Sequence, residues 1–321
     1  MTVPVITRRR LRLALAALAL GLVACGPPDA QAPVGGPASP APEGLEETPA
    51  PEPTTPEPTP ASGDELVMSF LDVGQGDATL IQAPDATVLI DAGRHDRDDV
   101  VAHLDALGVE ALDLVVITHP HADHLGQFDA VLDAYDVDEV WWSGADHTTL
   151  TFERALDALE ASDADYAEPR ADDQASVGDL AIDVVNPPPG VDLSDLHDSG
   201  LAVRVGFGEV SALFTGDAEA PTEQRMIDEA AELLEADVYQ VGHHGSSTSS
   251  SAELLEAVDP AIAVYSAGAD NQFGHPHDEV VARIGDSGIE LFGTDVHDTV
   301  TVTTDGQGWE VRTEREGEIG D

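Results

Sequence analysis

Lysine is absent from this 321-residue chain; its 13 basic residues are all arginine and face 63 Asp and Glu, for a formal net charge of −50. So large an excess argues against a protein that grips nucleic acid at low salt, because like charge repels the phosphates such binding needs. It fits a salty environment, where screening shortens the self-repulsion, and points to a halophilic source. Cysteine is nearly absent too. Cys25 is the single thiol, which excludes an internal disulfide and leaves a folded domain to be held by its core or by metal. Past the first 25 residues no apolar run is long enough to span a membrane. What is present is 42% hydrophobic residues, with apolar runs throughout the second half. That excludes a disordered acidic polymer and allows one large domain or two small ones.

Residues 1–25 have the layout of an export signal. Arg8, Arg9, Arg10 and Arg12 form a basic stretch, an apolar segment follows, and Leu22-Val23-Ala24-Cys25 reads as a lipoprotein cleavage box. The expectation is an exported protein, lipid-anchored through Cys25 at the cell surface or in the periplasm. Thr7 to Leu11 also loosely matches a twin-arginine signal. Residues 26–63 are dominated by Pro, Ala, Glu, Thr and Gly, a composition that buries no core and predicts an extended tether. Without the signal, nine arginines face all 63 acids, a net charge near −54.

Residues 64–321 are predicted to form one folded domain. Short β-rich runs are expected at 66–71, 78–82, 87–90, 112–117, 139–142, 181–185, 201–205, 210–214, 238–241, 262–265, 289–292 and 300–303. Helical spacing occurs at 98–107, 152–160, 221–234, 251–258 and 278–284. This mixture suggests an α/β (α+β) domain in which two sheets are covered by helices.

The chemistry lies where strands end. Thr118-His119-Pro120-His121-Ala122-Asp123-His124 directly follows an apolar strand, so His119 and His121 can face one metal while Asp123 and His124 face a second. The strand 210–214 runs into Thr215-Gly216-Asp217, and 238–241 runs into Gly242-His243-His244-Gly245-Ser246. Asp217 is placed to bridge two metals. A helix cap is the ordinary role of a lone strand-end Asp, but two histidine clusters beside it outweigh that.

Phe70-Leu71-Asp72-Val73-Gly74-Gln75-Gly76-Asp77-Ala78, Leu89-Ile90-Asp91-Ala92-Gly93, the histidine motif, Phe214-Thr215-Gly216-Asp217, Gly242 to Ser246 and Asn271-Gln272-Phe273-Gly274-His275-Pro276 follow in order. Together they resemble the metallo-β-lactamase fold, and in particular the soluble C-terminal domain of ComEC-type DNA-uptake proteins. The resemblance implies a four-layer αββα sandwich with a dinuclear metal site at one edge. It implies ligand roles for His119, His121, Asp123, His124, Asp217 and one of His243 and His244. Asp91 matches the family's first-motif aspartate, which orients the ligand loop, and Asp77 is read with it as a supporting residue. Two departures stand out. The channel region of ComEC-type chains has no counterpart here, so DNA translocation is not expected of this chain alone. His197 stands 20 residues before Asp217, where other hydrolases of this fold carry a metal-binding histidine, so His197 is expected to complete the first metal site.

The expected activity is hydrolysis of a phosphodiester, DNA among the candidate substrates, by hydroxide generated at two divalent ions: zinc, or alternatively manganese or iron. His119, His121, His197 and Asp217 are assigned to one ion, and Asp123, His124, Asp217 and His243 to the other. Asp123 also orients the nucleophile, and His244 and His275 are candidates to contact substrate or protonate the leaving group. The stretch 246–251 offers hydroxyls and N–H groups to an anion, or serves only as a polar loop. His95, His103, His147 and His297 are read as surface or structural, and Trp141 and Trp142 as packing or a pocket wall. Alternatives are a small-molecule phosphodiesterase of the phosphorylcholine-esterase type, a lactonase or β-lactamase, and a metal-stabilised surface binding module without turnover. The oligomeric state is not legible.

Overall fold

Period-two alternation of apolar side chains builds the layers. The computed structural model describes residues 64–319; the signal read over 1–25, Cys25 and the tether read over 26–63 lie outside the described residues. In β3 (Ala86–Ile90) and β4 (Ala111–Ile117), Val88, Ile90, Leu114 and Val116 point to one core while Leu89, Val115 and Ile117 point to another. Successive side chains of a strand face opposite ways, and here both faces are apolar. Each strand is therefore covered on both sides.

The first sheet has the order β15-β14-β1-β2-β3-β4-β5-β6, where β1 is Leu66–Phe70, β2 Thr79–Ala83, β5 Asp136–Trp142, β6 Asp165–Ala167, β14 Val300–Thr304 and β15 Trp309–Thr313. The second has the order β13-β12-β11-β10-β9-β8-β7, where β7 is Gln174–Val177, β8 Leu180–Asn186, β9 Ala202–Phe207, β10 Val210–Phe214, β11 Val238–Gln240, β12 Ile262–Tyr265 and β13 Glu290–Gly293. Between the sheets, Met68, Val88, Val116 and Trp141 join Ile182, Val203, Phe214 and Val264 in one core. Outside the first sheet, Val100 and Leu104 of α1 (Val100–Ala106), Phe128 and Val131 of α2 (Phe128–Ala134) and Phe152 of α3 (Leu150–Ala161) cover Leu89, Val115 and Trp142. Outside the second, Met226 of α4 (Ala220–Ala230), Leu254 and Val258 of α5 (Ala252–Val258) and Ile284 of α6 (Asp278–Asp286) cover Leu213 and Tyr239. A last short helix, α7, occupies Thr294–His297. The result is the expected αββα sandwich.

What matters for the site is direction. β3, β4 and β5 run parallel in one sheet, and β10 through β13 run parallel in the other. The loops leaving β3, β4, β10, β11 and β12 carry Asp91, the histidine motif, Asp217, the His243–His244 pair and His275. Polar side chains at the carboxyl ends of parallel strands are free of the core and can converge on a ligand.

Candidate metal centre

The loop after β4 is fixed by its backbone. Asp77 N–H donates to the Asp123 carbonyl (3.0 Å), His95 N–H to Ala122 O (2.9 Å) and Gly126 N–H to Gly93 O (2.8 Å). Such close approach needs glycine at two points. A Cβ on Gly76 would stand 2.5 Å from Asp123 O, and one on Gly126 would stand 2.1 Å from His95 N.

The deeper half of the centre gathers His124, His244 and Asp217, which are almost fully buried. His124 Nδ1–H donates to Asp91 Oδ2 (2.8 Å), and His244 Nδ1–H donates to the Ser266 carbonyl (3.0 Å). Both tautomers are thereby set, with Nε2 turned to the interior. There His124 Nε2 lies 3.2 Å and His244 Nε2 3.9 Å from Asp217 Oδ1, and Asp123 Oδ2 is 3.5 Å from His244 Nε2. None of these two Nε2 atoms and Asp217 Oδ1 has a hydrogen-bond partner among the described residues. Three buried polar atoms aimed at one point without partners would be costly; a divalent cation would satisfy all three. Asp77 approaches the same imidazoles from behind, 3.6 Å from His244 Nδ1 and 3.8 Å from His124 Nδ1.

The electrostatics agree. Burial opposes charge on His124 and His244, but Asp217 and Asp91 around the first, and Asp77 and Asp217 around the second, push both well above the ordinary imidazole range. Burial raises Asp217, yet His124, His119 and His244 outweigh it and hold that carboxyl well below the usual range. Burial likewise raises Asp123, and His244 and His124 more than reverse it. The carboxylates demand positive charge, which protons or a dication can provide.

The outer half consists of His119, His121 and His197 with the other oxygen of Asp217. Thr118 Oγ1 donates to Asp91 Oδ2 (2.8 Å) and lies 3.1 Å from His119 Nδ1, which turns His119 Nε2 to within 2.9 Å of His121 Nδ1 and 3.5 Å of Asp217 Oδ2. The His197 ring is 5.0 Å from that of His121 and 5.7 Å from that of His119. Burial, together with the charge of neighbouring histidines, lowers His119 to about 4 and His121 to about 3. Both are neutral near pH 7, as metal ligands must be.

His197 is held by a network on its own loop. Arg225 of α4 donates to Asp198 Oδ1 (2.5 Å) and Asn186 Oδ1 (2.9 Å), and Asn186 Nδ2 donates to the Asp198 and Gly200 carbonyls (3.0 and 2.7 Å). The structure thus joins His197 to His119 and His121.

The His243–His244 pair is arranged differently from the sequence reading, which put His243 in the deeper half. Both residues have left-handed backbones (φ 51° and 56°), a turn that drives His244 inward and leaves His243 at the mouth. His244 therefore faces His124 and Asp217, while His243 Nε2 is 3.6 Å from Asp217 Oδ2 and its Nδ1 3.6 Å from Glu219 Oε1. Glu219, also 3.6 Å from His197 Nδ1, was missed; its one signal was its place two residues beyond Asp217 in a strand-end run.

His275 sits 5.8 and 6.2 Å from the rings of His243 and His244, touching Gln75 Nε2 through Nδ1 (3.4 Å). Burial, with His244 and His243 beside it, lowers His275 to about 4. The serine stretch does not face a ligand. Ser249 Oγ donates to Gly242 O, Ser251 caps α5, and the N–H groups of Ser250 and Ser251 are taken by Glu223. It is loop scaffolding, because Glu223 is buried beneath it and consumes the donors. His147, read as surface or structural, has its ring 5.7 Å from that of His121. His297 is buried against Gly293, and His103 contacts the Asp72 carbonyl. Trp141 lies between the sheets and Trp142 packs on Phe152.

A two-sheet sandwich with His and Asp clusters at its strand ends defines a metallo-hydrolase fold with a possible dinuclear metal site. Residues 71–269 match the family model described as the metallo-β-lactamase superfamily, and the chain belongs to it. Among curated proteins it is similar to ComE operon protein 3 of Bacillus subtilis, 28% identical over 75% of this chain and 33% of that protein. It is also similar to competence protein ComA of Neisseria gonorrhoeae (29%, covering 73% and 31%) and to recombination protein 2 of Haemophilus influenzae (32%, covering 67% and 26%). The chain spans about a third or less of the length of these relatives. Among solved structures, CmlA, a diiron β-hydroxylase from Streptomyces venezuelae, superposes with a TM-score of 0.51 at 18% identity, covering 75% of this chain and 54% of that one. Igni18, a metallo hydrolase from Ignicoccus hospitalis, gives 0.50 at 15%, covering 75% and 98%. At these identities the likeness concerns the fold alone. Among the described residues no helix is long and apolar enough to cross a membrane.

Proposed function

We propose that this protein is an exported, membrane-tethered phosphodiesterase acting on nucleic acid with two divalent ions. The observation that carries the reading is the convergence of His124 Nε2, His244 Nε2 and Asp217 Oδ1, all buried and unpartnered among the described residues, beside the neutral pair His119 and His121. His119, His121, His197 and Asp217 would hold one ion; Asp123, His124, Asp217 and His244 would hold the other. Nitrogen-rich sets of this kind suit zinc, and manganese or iron also accept imidazole with carboxylate. When bound, such a pair polarises a phosphoryl oxygen and lowers the pKa of water.

The remaining steps belong to the chain. Asp91 and the Ser266 carbonyl hold the tautomers of His124 and His244, and Asp77 stands behind both rings. Asp123, a third exposed and ionised, is placed to orient the attacking water. His275 is neutral near pH 7, so it serves the leaving oxygen as an N–H hydrogen-bond donor and not as an imidazolium acid.

A phosphodiester is favoured by the surroundings. Arg94, Arg97 and Arg315, three of nine arginines in residues 64–319, line a cavity of about 320 Å³ bounded also by Gln75, Asn271, Asp72, Asp270, Asp295 and Asp298. Asp96, Asp99 and Asp298 hold those guanidinium groups in position, and guanidinium forks suit phosphate. Phe273, 55% exposed and stacked on His275, presents an aromatic face of the kind on which bases stack. The names of the competence and recombination relatives point the same way. Export and the lipid tether rest on the 1–25 signal and Cys25; mass spectrometry of the membrane fraction tests them by the mass added to a new N-terminal Cys25.

The activity test is hydrolysis of bis(p-nitrophenyl) phosphate and of a single-stranded oligonucleotide by the purified chain, with Zn²⁺ or Mn²⁺ and with chelator. Metal-dependent cleavage of both is expected. Cleavage of the small ester alone favours the small-molecule phosphodiesterase, which the net charge of −50 would hinder less. Turnover of a lactam or lactone with none of either phosphodiester would overturn the proposal.

A further inference from the structure

Glu219 stands at the mouth of the centre between two histidines. Its Oε1 is 3.6 Å from His197 Nδ1 and 3.6 Å from His243 Nδ1, the latter also 3.2 Å from the exposed Thr248 hydroxyl, which an ion would displace, and the three groups form a cluster that can hold a metal ion. A separation of 3.6 Å is too long for a hydrogen bond. It is close to the distance between two ligand atoms of a tetrahedral zinc, about 3.3–3.4 Å for bonds of about 2.0–2.1 Å. Glu219 precedes α4 as its N-cap residue but makes no side-chain capping bond there. The carboxylate is thus not engaged in ending the helix and is open to the cleft, 37% exposed.

We propose that His197, Glu219 and His243 form a third divalent-cation site, weaker than the other two, through which excess metal inhibits the enzyme. Two imidazoles and one carboxylate make a ligand set that zinc accepts. The site is weaker because it has three ligands, all a fifth to over a third exposed, whereas each of the other two has four, among them Asp217 with His119 or with His124 and His244, at most a few per cent exposed. Inhibition follows from the chemistry of one shared residue. A neutral imidazole has a single lone pair on nitrogen, because the other nitrogen carries the proton. His197 can therefore serve the ion held with His119 and His121, or the ion held with Glu219 and His243, but not both. Filling the third site withdraws His197 from the first. The effect on activity rests on the phosphodiesterase reading; the binding of a third ion does not.

The test is a Zn²⁺ titration of the full chain against a chromophoric chelator, read as equivalents bound and their affinities, for the wild type, Glu219→Gln and Glu219→Ala. The wild type is expected to take up two equivalents tightly and a third at least tenfold more weakly. Both variants should keep the first two affinities and lose the third. Hydrolysis of bis(p-nitrophenyl) phosphate should fall as zinc exceeds two equivalents in the wild type and stay level in both variants. The proposal is overturned if the wild type binds only two ions, or if the variants retain the third. It is equally overturned if they weaken one of the first two, for Glu219 would then be a positioning partner of His197. A wild type that hydrolyses no phosphodiester overturns the proposed activity, while the count of equivalents still decides the third site.

Discussion

The two halves of the centre share Asp217 but rest on opposite electrostatics. His124 and His244 lie among Asp91, Asp77 and Asp217 and hold protons that a metal must displace. His119 and His121 lie mainly among other imidazoles and are neutral above about pH 4 and 3. One half is deep, carboxylate-backed and strongly attractive to cations; the other is open and ready to ligate but contributes little negative charge of its own. The difference teaches how a dinuclear centre can bind two ions of one element with unequal affinity and unequal dependence on pH.

The shared residue is where the comparison breaks most completely. Asp217→Asn removes the one carboxylate that faces both halves, approaching His119 at 3.5 Å and His124 at 3.2 Å. Metal content should fall from two ions toward none, and kcat/KM for a phosphodiester should drop on the order of 10³-fold or more. A variant that loses a single ion and keeps the other at wild-type affinity would show that the halves are independent.

Next come substitutions that bear mainly on one half. Asp91→Asn leaves every proposed ligand in place but disturbs the tautomer of His124 and the hydrogen bonds to Thr118 N and Oγ1, both 2.8 Å. Loss of such a partner costs about 10–100-fold in metal affinity; the deeper ion should be affected most, with a smaller loss at the outer ion because Thr118 Oγ1 also orients His119. His197→Ala should weaken only the outer ion, by a comparable factor. Metal titrations of the two variants, each weakening a different equivalent most, separate the two halves; full metal content and activity in His197→Ala would remove that residue from the ligand set.

The two halves were also unequally legible in the sequence. Strands β10 and β12 match the expected 210–214 and 262–265 because buried apolar runs are sharply bounded there. The histidine motif after β4 was readable because its residue types and spacing carry the chemistry directly. The His243–His244 pair was not. Two adjacent histidines in left-handed turns point as tertiary contacts dictate, and nothing in Gly-His-His-Gly says which goes inward. Glu219 was hidden by the same acidity that marks the chain, one carboxylate among 63. Helix α2 escaped because it has only seven residues and no capping side chain; Gln127 at its start uses its amide on Val100 N and Asp99 instead. β15 escaped as a half-exposed edge strand whose Trp309-Glu310-Val311-Arg312-Thr313 lacks a continuous apolar run.

Because the deeper histidines hold protons, the affinity of one equivalent should climb between pH 6 and 8, by about tenfold per unit for each proton displaced. The other equivalent should change little, since His119 and His121 are already neutral there. The same shifts set the stability of the metal-free protein. Raised groups such as His124 and His244 stabilise the fold fully below about pH 6.5, their ordinary value, and lose that contribution as pH rises through their folded values. Lowered groups such as His119 and His121 act in the opposite sense: their contribution is present above about 6.5 and is lost as pH falls toward about 4 and 3. Thermal unfolding in chelator should therefore show reduced Tm on both sides of about pH 6.5, and added metal should remove the alkaline loss. A Tm that rises steadily with pH in chelator would mean that the deeper histidines are neutral.

Gly76→Ala tests whether the deeper half depends on backbone approach. The new Cβ would meet the Asp123 carbonyl at 2.5 Å, so the loops carrying Asp77 and Asp123 must part. A destabilisation of about 1–3 kcal/mol is expected by denaturant titration, with the deeper ion weakened and the outer one preserved.

The smallest expected effect concerns the surface around the centre. With 63 acids against 13 arginines, the protein's outer field repels a polyanion, while two dications in the cleft would offset the carboxylates around them. Screening acts on the first more than the second: exposed charges lose their reach as the Debye length falls to about 8 Å near 0.15 M salt, whereas buried charges are screened much less. Raising salt from low levels should therefore increase kcat/KM on an oligonucleotide severalfold and change bis(p-nitrophenyl) phosphate hydrolysis little, since a small monoanion meets less of the outer field. A monotonic fall in oligonucleotide cleavage from the lowest salt would reverse the inference. It would mean that Arg94, Arg97 and Arg315 attract the strand more strongly than the surrounding acids repel it, and that arginine placement, not net charge, governs access to the metals.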